Sequence, residues 1–350
     1  MKPIDLRSDT VTLPTPEMRE AMYRAEVGDD VHHDDPTTNR LERMAAEKMG
    51  KEDALFVASG TMANLVAVLT HSESGDRVIV GSEAHIHHYE GEGVRRLAGV
   101  DLTELPNDAE GRISPAELES FLWESEGAPI TLVCLENTHM RCGGFPLTAE
   151  YAAKVAAVAH GRGVPLHLDG ARIFDAAIAL GVPADSLARD ADSVMFCLSK
   201  GLAAPVGSVL CGSGEFIVRA RQSRRWVGGG MRQVGILAAA GVVALETMIE
   251  RLAEDHENGR LLADGLATIG GISIDPAHVR TNIVIFTVQD WEVRDFLNAL
   301  SAESVLALPL SPDRVRMVTH YGIERSDIEQ AVEAIRRAMR DHAGTAQPAG

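Results

Sequence analysis

One lysine stands apart from the rest of the chain. Lys200 follows the apolar segment SVMFCLS and precedes Gly-Leu-Ala-Ala-Pro, whereas the other lysines fall at the terminus or in polar, helix-like sequence. An arginine cannot lose its proton at useful pH but a lysine can, so an amine at this position is suited to attack a carbonyl carbon and form a Schiff base. The alternative is a solvated lysine at the end of a strand. The five lysines are Lys2, Lys48, Lys51, Lys154 and Lys200.

A carboxylate ends an earlier apolar segment. Asp169 closes PLHLD, which precedes the segment that leads to Lys200. An isolated buried carboxylate is unfavourable, so this side chain needs a partner. The protonated nitrogen of a pyridinium ring is one such partner, and that ion pair makes the ring an electron sink. The alternative is a salt bridge to Arg172.

The lysine and the aspartate are consistent with a phosphorylated aldehyde cofactor that carries a pyridinium ring. Two further segments could bind the same cofactor. In FVASGTMANLVAVL, a predicted strand leads through Gly60 and Thr61 into an apolar helix, whose free N–H groups could hold a phosphate. Taken alone, this segment is better explained as an ordinary helix cap. In SEAHIHHYEGEG, His85 follows a strand, where an imidazole could stack on a ring and move protons. His85, His87 and His88 lack the i, i+4 spacing of a helical zinc site, so we expect no metal.

The composition narrows the function classes. The chain has 350 residues, 33 basic against 51 acidic side chains and a formal net charge of −18, which disfavours nucleic acid and anionic membranes as partners. It has no N-terminal apolar signal and no apolar run of about 18 residues, so we expect neither secretion nor membrane insertion. Cys134, Cys197 and Cys211 lie in strand-like segments and are predicted to be buried thiols, which favours the cytoplasm.

Alternating apolar strands and helices predict the fold class. One predicted helix starts at Ser114 with Pro115 in its first turn, and another starts near Thr148. Strands that are apolar on both faces and separated by helices indicate a mostly parallel α/β sheet. The predicted strands are 54–59, 77–81, 100–106, 130–137, 165–169, 193–199 and 207–212.

The pattern changes after a long apolar helix predicted around 233–253. TNIVIFTV and RVRMVTH, separated by the helical WEVRDFLNALSA, predict a smaller α+β lobe, and the capping box SDIE opens a final helix. The predicted organisation is an N-terminal arm at 1–14, a large cofactor-binding domain at 15–245, a small C-terminal domain at 246–340 and a disordered tail at 341–350.

Eight segments in chain order resemble the low-specificity L-threonine aldolases. They are LRSDTVT, GDDV with DDPT, ASGTMANL, LENTH, HLDGARIF, CLSKGL with APVGS, GGGMRQ with GILAAAG, and VRMVTH. The resemblance runs from about residue 4 to residue 338. It implies a pyridoxal-phosphate enzyme of the aspartate-aminotransferase-like fold (fold type I). This is an α/β large domain with a mostly parallel sheet, plus a smaller C-terminal α+β domain.

The resemblance also implies a role for each matched residue at the cofactor. Lys200 would carry pyridoxal 5'-phosphate covalently, Asp169 would bind the ring nitrogen, and His85 would stack on the ring; these three are the implied catalytic residues. Arg232 would reach the phosphate from a neighbouring subunit. The other implied cofactor-binding residues are Gly60 and Thr61 at the phosphate, Arg225 as a second arginine there, and Arg172 at the phenolic oxygen of the ring.

The implied reaction is a retro-aldol cleavage of L-threonine, L-allo-threonine and other β-hydroxy-α-amino acids to glycine and an aldehyde. Ser8 and Arg316 would clamp the substrate carboxylate, while His32 and Arg172 would also face the substrate. His85, directly or through water, is the candidate base. A homotetramer, built as a dimer of dimers with shared active sites, is implied.

Rival functions on the same scaffold stay open at this point. Racemisation, β-elimination and the synthesis of a specialised β-hydroxy amino acid would use Lys200 and Asp169 in the same way. A ligand sensor without catalysis is disfavoured, because the lysine, the aspartate, His85 and Arg316 are all intact and no DNA-binding domain is present.

Two departures from the family concern the substrate side. His32 and His33 stand where the family commonly has a tyrosine-glycine pair, in a loop that lies near the substrate side chain in relatives. The preference between threonine and allo-threonine is therefore open. A second histidine that relatives often carry before LENTH is missing from SEGAPITLVC, so His87, His88, one of the loop histidines or water would replace it.

Overall fold

A computed structural model of the chain describes residues 3–346. The strands are β1 (Ile4–Asp5), β2 (Asp53–Val57), β3 (Arg77–Gly81), β4 (Asp101–Leu105), β5 (Ile130–Glu136), β6 (Leu166–Asp169), β7 (Ser193–Cys197), β8 (Ser208–Gly212), β9 (Ile272–Ser273), β10 (Ile283–Val288), β11 (Val305–Leu306), β12 (Leu308–Pro309) and β13 (Arg314–Val318).

Helices connect these strands. They are α1 (Pro16–Tyr23), α2 (Pro36–Met49), α3 (Gly60–His71), α4 (Gly91–Gly93), α5 (Pro115–Glu124), α6 (Ala149–His160), α7 (Ile173–Leu180), α8 (Ala184–Ala188), α9 (Gly214–Trp226), α10 (Gly235–Thr247), α11 (Leu252–Ala267), α12 (Val293–Ala302) and α13 (Arg325–Ala346). Two π-helical segments, Ile86–Glu90 and Val94–Ala98, flank α4.

The large sheet contains all seven predicted strands. Its order is β2-β8-β7-β6-β5-β3-β4. Strand β8 runs antiparallel to both of its neighbours, and every other pair in the sheet is parallel. Every residue of β6, β7 and β8 is buried, as expected for central strands covered by helices on both faces. The predicted mostly parallel sheet is confirmed.

Side-chain caps fix the starts of the helices near the sheet. Ser114 and Thr148 accept hydrogen bonds from backbone N–H groups in the first turns of α5 and α6, as predicted. Ser59 caps α3 in the same way by accepting from the N–H of Met62. Such a cap stabilises a helix by about 0.5–2 kcal/mol, so the entry point of α3 is well defined.

The predicted helix at 233–253 is wrong in one respect, because the chain turns between α10 and α11. The turn lets α11 run from the first hydrophobic core into a second one. Leu245 and Leu252 pack in the core beneath the large sheet, whereas Leu262 packs in a second core. The predicted domain limits remain predictions.

The second core supports a small antiparallel sheet with the order β12-β13-β10-β9, as the two late strand predictions require. The N-terminal arm joins this lobe. Strand β1 pairs in parallel with β11, and Leu6 is fully buried in the second core. The arm therefore lies against the part of the chain that is synthesised late.

The last helix differs from its prediction at both ends. It starts at Arg325, one residue before the predicted cap, and the N–H of Glu324 donates to the carboxylate of Asp327 at 2.8 Å. It continues to Ala346, so the predicted disorder is wrong for 341–346. The ring of His342 stacks on Trp291 with the centroids 4.1 Å apart, which holds the final turns. Residues 347–350 lie outside the described residues.

The cysteines follow their predictions. Cys134, Cys197 and Cys211 are buried, Cys142 is partly buried, and all four are free thiols. Across residues 3–346, none of the helices has the length and apolar character needed to cross a bilayer.

Candidate active site

A cavity of about 210 Å³ opens where the carboxyl ends of β5 and β6 meet the start of α3. Ligands of α/β proteins bind beyond the carboxyl ends of the strands, so this is the expected place for a site. Six of the residues predicted from sequence line it together: Gly60, Thr61, His85, Asp169, Arg172 and Lys200. Other lining residues include Thr10, Ser59, Asn64, Glu90, Glu136 and Met140.

Asp169 ends β6 and is only 2% exposed. Its Oδ2 accepts from the Asn64 amide at 2.8 Å, and its Oδ1 accepts from the backbone N–H of Ala171 at 3.1 Å. Among the described residues, no lysine, arginine or histidine forms a salt bridge with it. The carboxylate is therefore held in place by neutral donors while its charge remains unneutralised.

The alternative partner, Arg172, is bound elsewhere. Its Nε and Nη2 donate to the two oxygens of Asp9, both at 2.7 Å, in a fully buried fork. The suggested salt bridge from Arg172 to Asp169 is thus wrong. Burial raises the pKa of Asp9, but the Arg172 charge and hydrogen bonds outweigh burial and lower that pKa overall. Asp9 was not a predicted site residue; its arm position, 163 residues from Arg172, gave no signal.

The buried Asp9–Arg172 pair predicts that substituting Asp9 destabilises the protein more than substituting Asp5, another aspartate of the arm. Asp9→Ala would leave a buried guanidinium without its partner and should lower the free energy of unfolding by about 3–5 kcal/mol. Asp5→Ala is the matched control, because Asp5 pairs with the exposed Arg7 and should lose at most about 1 kcal/mol. Urea unfolding followed by circular dichroism compares them. Equal midpoints would contradict the assigned role of the buried pair.

His85 lies in the loop after β3, and two contacts fix it. Its backbone N–H donates to Glu136 at 2.7 Å, and its Nδ1 lies 2.8 Å from Glu90 Oε1. Burial lowers the pKa of His85, but the hydrogen bond to Glu90 and the charges of Asp169 and Glu90 leave it raised. The π-helical turn Ile86–Glu90 brings Glu90 next to His85, which lies five positions earlier in the chain.

Glu90 and Asn64 are site residues that sequence reasoning missed. The Asn64 amide donates to Glu90 Oε1 at 3.3 Å as well as to Asp169, so one NH₂ group bridges both carboxylates. Burial raises the pKa of Glu90. The side-chain ligand atoms of His85, Glu90 and Asp169 lie within 4.8 Å of one another, and the Asn64 amide bridges the two carboxylates. A buried asparagine in the apolar helix after Ser-Gly-Thr was the available signal.

The start of α3 offers backbone donors to the cavity. The N–H groups of Gly60 and Thr61 have no acceptor within the described chain, because the Ser59 cap serves Met62. A Cβ on Gly60 would lie 3.0 Å from the sulfur of Cys197, so glycine allows α3 to pack closely on β7. Two free N–H groups at a helix start form a site for an anion.

Lys200 follows β7 and lines the same cavity. Thr12 of the arm donates from its hydroxyl to the Lys200 carbonyl at 3.2 Å, and the N–H of Ala203 donates to the same oxygen at 2.8 Å. The backbone of this turn is therefore held from two sides. In the part of the chain that the structure describes, Nζ has neither a hydrogen bond nor a salt bridge, so the amine is available to a ligand.

Arg316 lies on β13 beside Met140, which lines the cavity. Its Nη1 lies 2.9 Å from the Met140 sulfur, its Nη2 donates to the Arg7 carbonyl at 3.3 Å, and its buried Nε has no partner. No carboxylate pairs with it among residues 3–346. Burial lowers the pKa of Arg316, and the charge of Arg172 adds to this. Ser8, next to Arg7, uses its hydroxyl to cap the turn Asp9–Val11.

Five predicted residues are not among those that line this cavity: Ser8 and Arg316, described above, and Arg225, Arg232 and His32. Arg225 lines a separate open groove of about 980 Å³. Arg232 is 63% exposed at its side chain and pairs with Asp29 at 3.3 Å. His32 is exposed in the neighbouring loop, whose Asp30 N–H donates to the carbonyl of Arg232. The two loops thus contact each other, and their predicted site residues do not line the cavity that contains Lys200.

Comparisons with known proteins agree with the motifs. The family model for beta-eliminating lyases matches residues 5–289. Low-specificity L-threonine aldolase 1 of Arabidopsis thaliana is 45% identical over 347 residues, covering 97% of this chain and 97% of that protein. The low-specificity L-threonine aldolase of Escherichia coli K12 is 41% identical over 330 residues, covering 93% and 96%.

Solved structures show the same architecture. A threonine aldolase from Leishmania major matches with a TM-score of 0.82 at 21% identity, covering 96% of this chain and all of that one. SPT with its PLP internal aldimine matches with a TM-score of 0.77 at 18% identity, covering 97% and 88%. These matches confirm the predicted fold type I. By sequence and by fold, the chain belongs to the low-specificity L-threonine aldolase family of lyases.

Proposed function

We propose that this protein uses pyridoxal 5'-phosphate to cleave L-threonine, L-allo-threonine and related β-hydroxy-α-amino acids into glycine and an aldehyde. One observation carries the proposal: the unpaired amine of Lys200 and the buried, unneutralised carboxylate of Asp169 line one cavity. The identity to two curated aldolases over almost the whole chain supports it.

The groups around the cavity fit this cofactor. Lys200 would bind its aldehyde carbon, Asp169 its ring nitrogen, and the free N–H groups of Gly60 and Thr61 its phosphate. Arg172, oriented by Asp9, would serve the phenolic oxygen of the ring and also face the substrate. When bound, the cofactor supplies a protonated ring that accepts the electron pair of the bond being broken.

His85 is proposed as the base that takes the proton of the β-hydroxyl group. A neutral imidazole that donates from Nδ1 to Glu90 keeps a free lone pair on Nε2, which can accept a proton directly or from a water molecule. Glu90 stabilises the imidazolium that results, in line with the raised pKa of His85. A positioned base contributes about 10²–10⁴-fold to the rate.

Arg316 and Ser8 are proposed to hold the substrate carboxylate, with His32 near the substrate from its loop. Arg316→Ala should reduce kcat/KM about 100-fold through a higher KM, because charge-assisted hydrogen bonds to the carboxylate are lost. Arg314→Ala is the matched control on the same strand, since Arg314 bonds to Ser311 and not to a cavity residue. Initial rates over a range of threonine concentrations measure both. An unchanged KM in the Arg316 variant would remove this residue from the substrate site.

The phosphate site is proposed to be completed by Arg232 of a neighbouring subunit, with Arg225 assisting. Arg232→Ala should raise the dissociation constant for pyridoxal phosphate about tenfold, the loss expected for one charge-assisted contact. Arg294→Ala, on the exposed side of α12, is the control. Fluorescence titration of apoprotein measures both constants. Equal affinities would exclude Arg232. A shared site requires at least a dimer; the proposed assembly is a homotetramer built as a dimer of dimers, and the cytoplasm is its proposed location.

The proposed function is tested by supplying L-threonine, L-allo-threonine and L-phenylserine side by side and measuring glycine and aldehyde. Equal amounts of both products are expected. Ammonia and an oxo acid would indicate β-elimination, and the epimer inverted at Cα (D-allo-threonine from L-threonine) without glycine would indicate racemisation. Either result would overturn the aldolase assignment. The ratio of the rates on the first two substrates settles the stereochemical preference left open by His32 and His33.

A further inference from the structure

Five side chains form a continuous row of hydrogen bonds that ends at Asp169. His71 Nε2 lies 2.9 Å from Ser193 Oγ, which lies 2.8 Å from His167 Nδ1. His167 Nε2 lies 3.1 Å from Asn64 Oδ1, and Asn64 Nδ2 lies 2.8 Å from Asp169 Oδ2. We call these five residues the donor chain. None except Asn64 and Asp169 lines the cavity, so the chain extends behind the site.

The fold dictates this row. His167 and Asp169 are two positions apart on β6, so their side chains leave the same face of the sheet. His167 is in register with Ser193 on β7. Asn64 and His71 are seven positions apart on α3, which is about two helical turns, so both face the same strands. The row therefore crosses between α3 and the sheet at each step.

The direction of every hydrogen bond follows from the carboxylate end. A carboxylate oxygen accepts hydrogen bonds, and one NH₂ group of Asn64 donates to such oxygens of both Asp169 and Glu90. The NH₂ group of Asn64 must therefore face the carboxylates, and its oxygen must face His167. That oxygen only accepts, so His167 carries its proton on Nε2.

The remaining two links follow in turn. With its proton on Nε2, neutral His167 has a bare lone pair on Nδ1, so the Ser193 hydroxyl must donate to it. The Ser193 oxygen then accepts from Nε2–H of His71. Burial lowers the pKa of His167 to about 4 and that of His71 to about 3, so both rings are neutral near pH 7. All hydrogen bonds of the donor chain point toward Asp169.

Because all hydrogen bonds of the donor chain point the same way, they act together on the carboxylate of Asp169. Each bond polarises the next, and the last donor presents its most positive end to the carboxylate. Hydrogen bonds to the charged form favour that form. The row also removes freedom from Asn64, since a rotated amide would place its oxygen against Asp169 and Glu90 and an NH₂ group against the His167 N–H.

We propose that Ser193 and His167 are positioning residues that lock the Asn64 amide, so that its NH₂ group faces Asp169 and holds that carboxylate aimed into the cavity. This inference rests on the proposed function in one respect: there, the Asp169 carboxylate has to hold a protonated ring nitrogen. The arrangement of protons in the donor chain does not depend on that function.

Neutron diffraction from crystals of the holoenzyme tests the arrangement directly. Deuterium is expected on Nε2 and not on Nδ1 of His167, on the Ser193 oxygen pointing at His167, and on the Asn64 nitrogen facing Asp169. Deuterium on Nδ1 of His167 instead would overturn the inference, whatever the enzyme's activity.

Ser193→Ala tests the consequence, because it removes one hydroxyl and leaves His167 and Asn64 in place. Its kcat should fall about tenfold, the effect of one lost buried hydrogen bond, with KM unchanged. In protein loaded with cofactor labelled with ¹⁵N in the ring, the ring signal should move toward the unprotonated nitrogen. Ser223→Ala is the matched control, a buried serine that bonds to Thr70 and Arg219 and not to the donor chain.

The outcomes separate this inference from the proposed function. Equal kcat values and ring signals in the Ser193 and Ser223 variants would overturn the positioning role while wild-type aldehyde release still supports the aldolase. A wild-type protein that releases no aldehyde would overturn the proposed function. In that case the proton positions from neutron diffraction would still stand as the test of the donor chain.

Discussion

Lys200→Ala should lose aldehyde release by a factor of about 10⁴ or more while the protein stays folded, as expected when a covalent nucleophile is removed. Lys200 is the only lysine that lines the cavity within residues 3–346. Its Nζ makes no hydrogen bond and no salt bridge there, so the substitution removes neither. The loss should therefore be chemical rather than structural.

Two further variants sharpen this prediction. Lys200→Arg keeps the positive charge but cannot act as a nucleophile at neutral pH, so it should be as inactive as the alanine variant. Lys51→Ala is the control, because Lys51 donates to the carbonyls of Arg189 and Ala191 away from the cavity and should affect stability more than rate. Aldehyde release is followed together with borohydride labelling. Wild-type rates in the alanine variant, or a label on another lysine, would refute the assignment.

Asp169→Asn should reduce kcat about 10²–10³-fold, the range for losing one preorganised electrostatic partner. The two side chains have nearly the same shape, so Asn64 can still donate to the remaining oxygen. The negative charge is lost, together with the hydrogen bond that the other oxygen accepts from the Ala171 N–H, because an amide NH₂ group cannot accept it. With the charge goes the reason for the ring nitrogen to stay protonated. The effect should be smaller than that at Lys200, because the covalent bond can still form.

The matched control is Asp175→Asn, which alters a buried carboxylate bound to His256 at 3.1 Å outside the cavity. Rates at saturating substrate, together with the ring signal of ¹⁵N-labelled cofactor, compare the two variants. If both variants lost the same small fraction of activity, the charge of Asp169 would have no special role in the reaction.

The sequence predicted the sheet and the residues at its strand ends well, for a physical reason. Central strands of a parallel sheet are buried on both faces, so their sequences are continuous apolar runs. A polar residue at the end of such a run is easy to recognise. Asp169 and Lys200 were found in this way. The helix starts were found because a cap and the first turn are local in sequence.

Contacts between distant segments could not be predicted. Asp9 binds Arg172 only because the arm crosses to the large sheet, and no local pattern encodes that path. Glu90 reaches His85 through a π-helical turn, whereas pattern analysis assumes a period of 3.6 residues. The donor chain escaped notice for a similar reason, since its links join α3, β6 and β7. The role proposed for Arg232 at the phosphate would require a second subunit.

The arm has a consequence for the biogenesis of the protein. Ile4 pairs with Val305, so the first strand to leave the ribosome must wait for a partner that is translated near the end. At about 5–20 residues per second, that delay is roughly 15–60 s. Until β1 has paired with β11, the arm is not held in the position that brings Asp9 to Arg172 and Thr12 to Lys200. The nascent chain can form its large sheet early, but it can complete its catalytic pocket only after nearly all of it has been made.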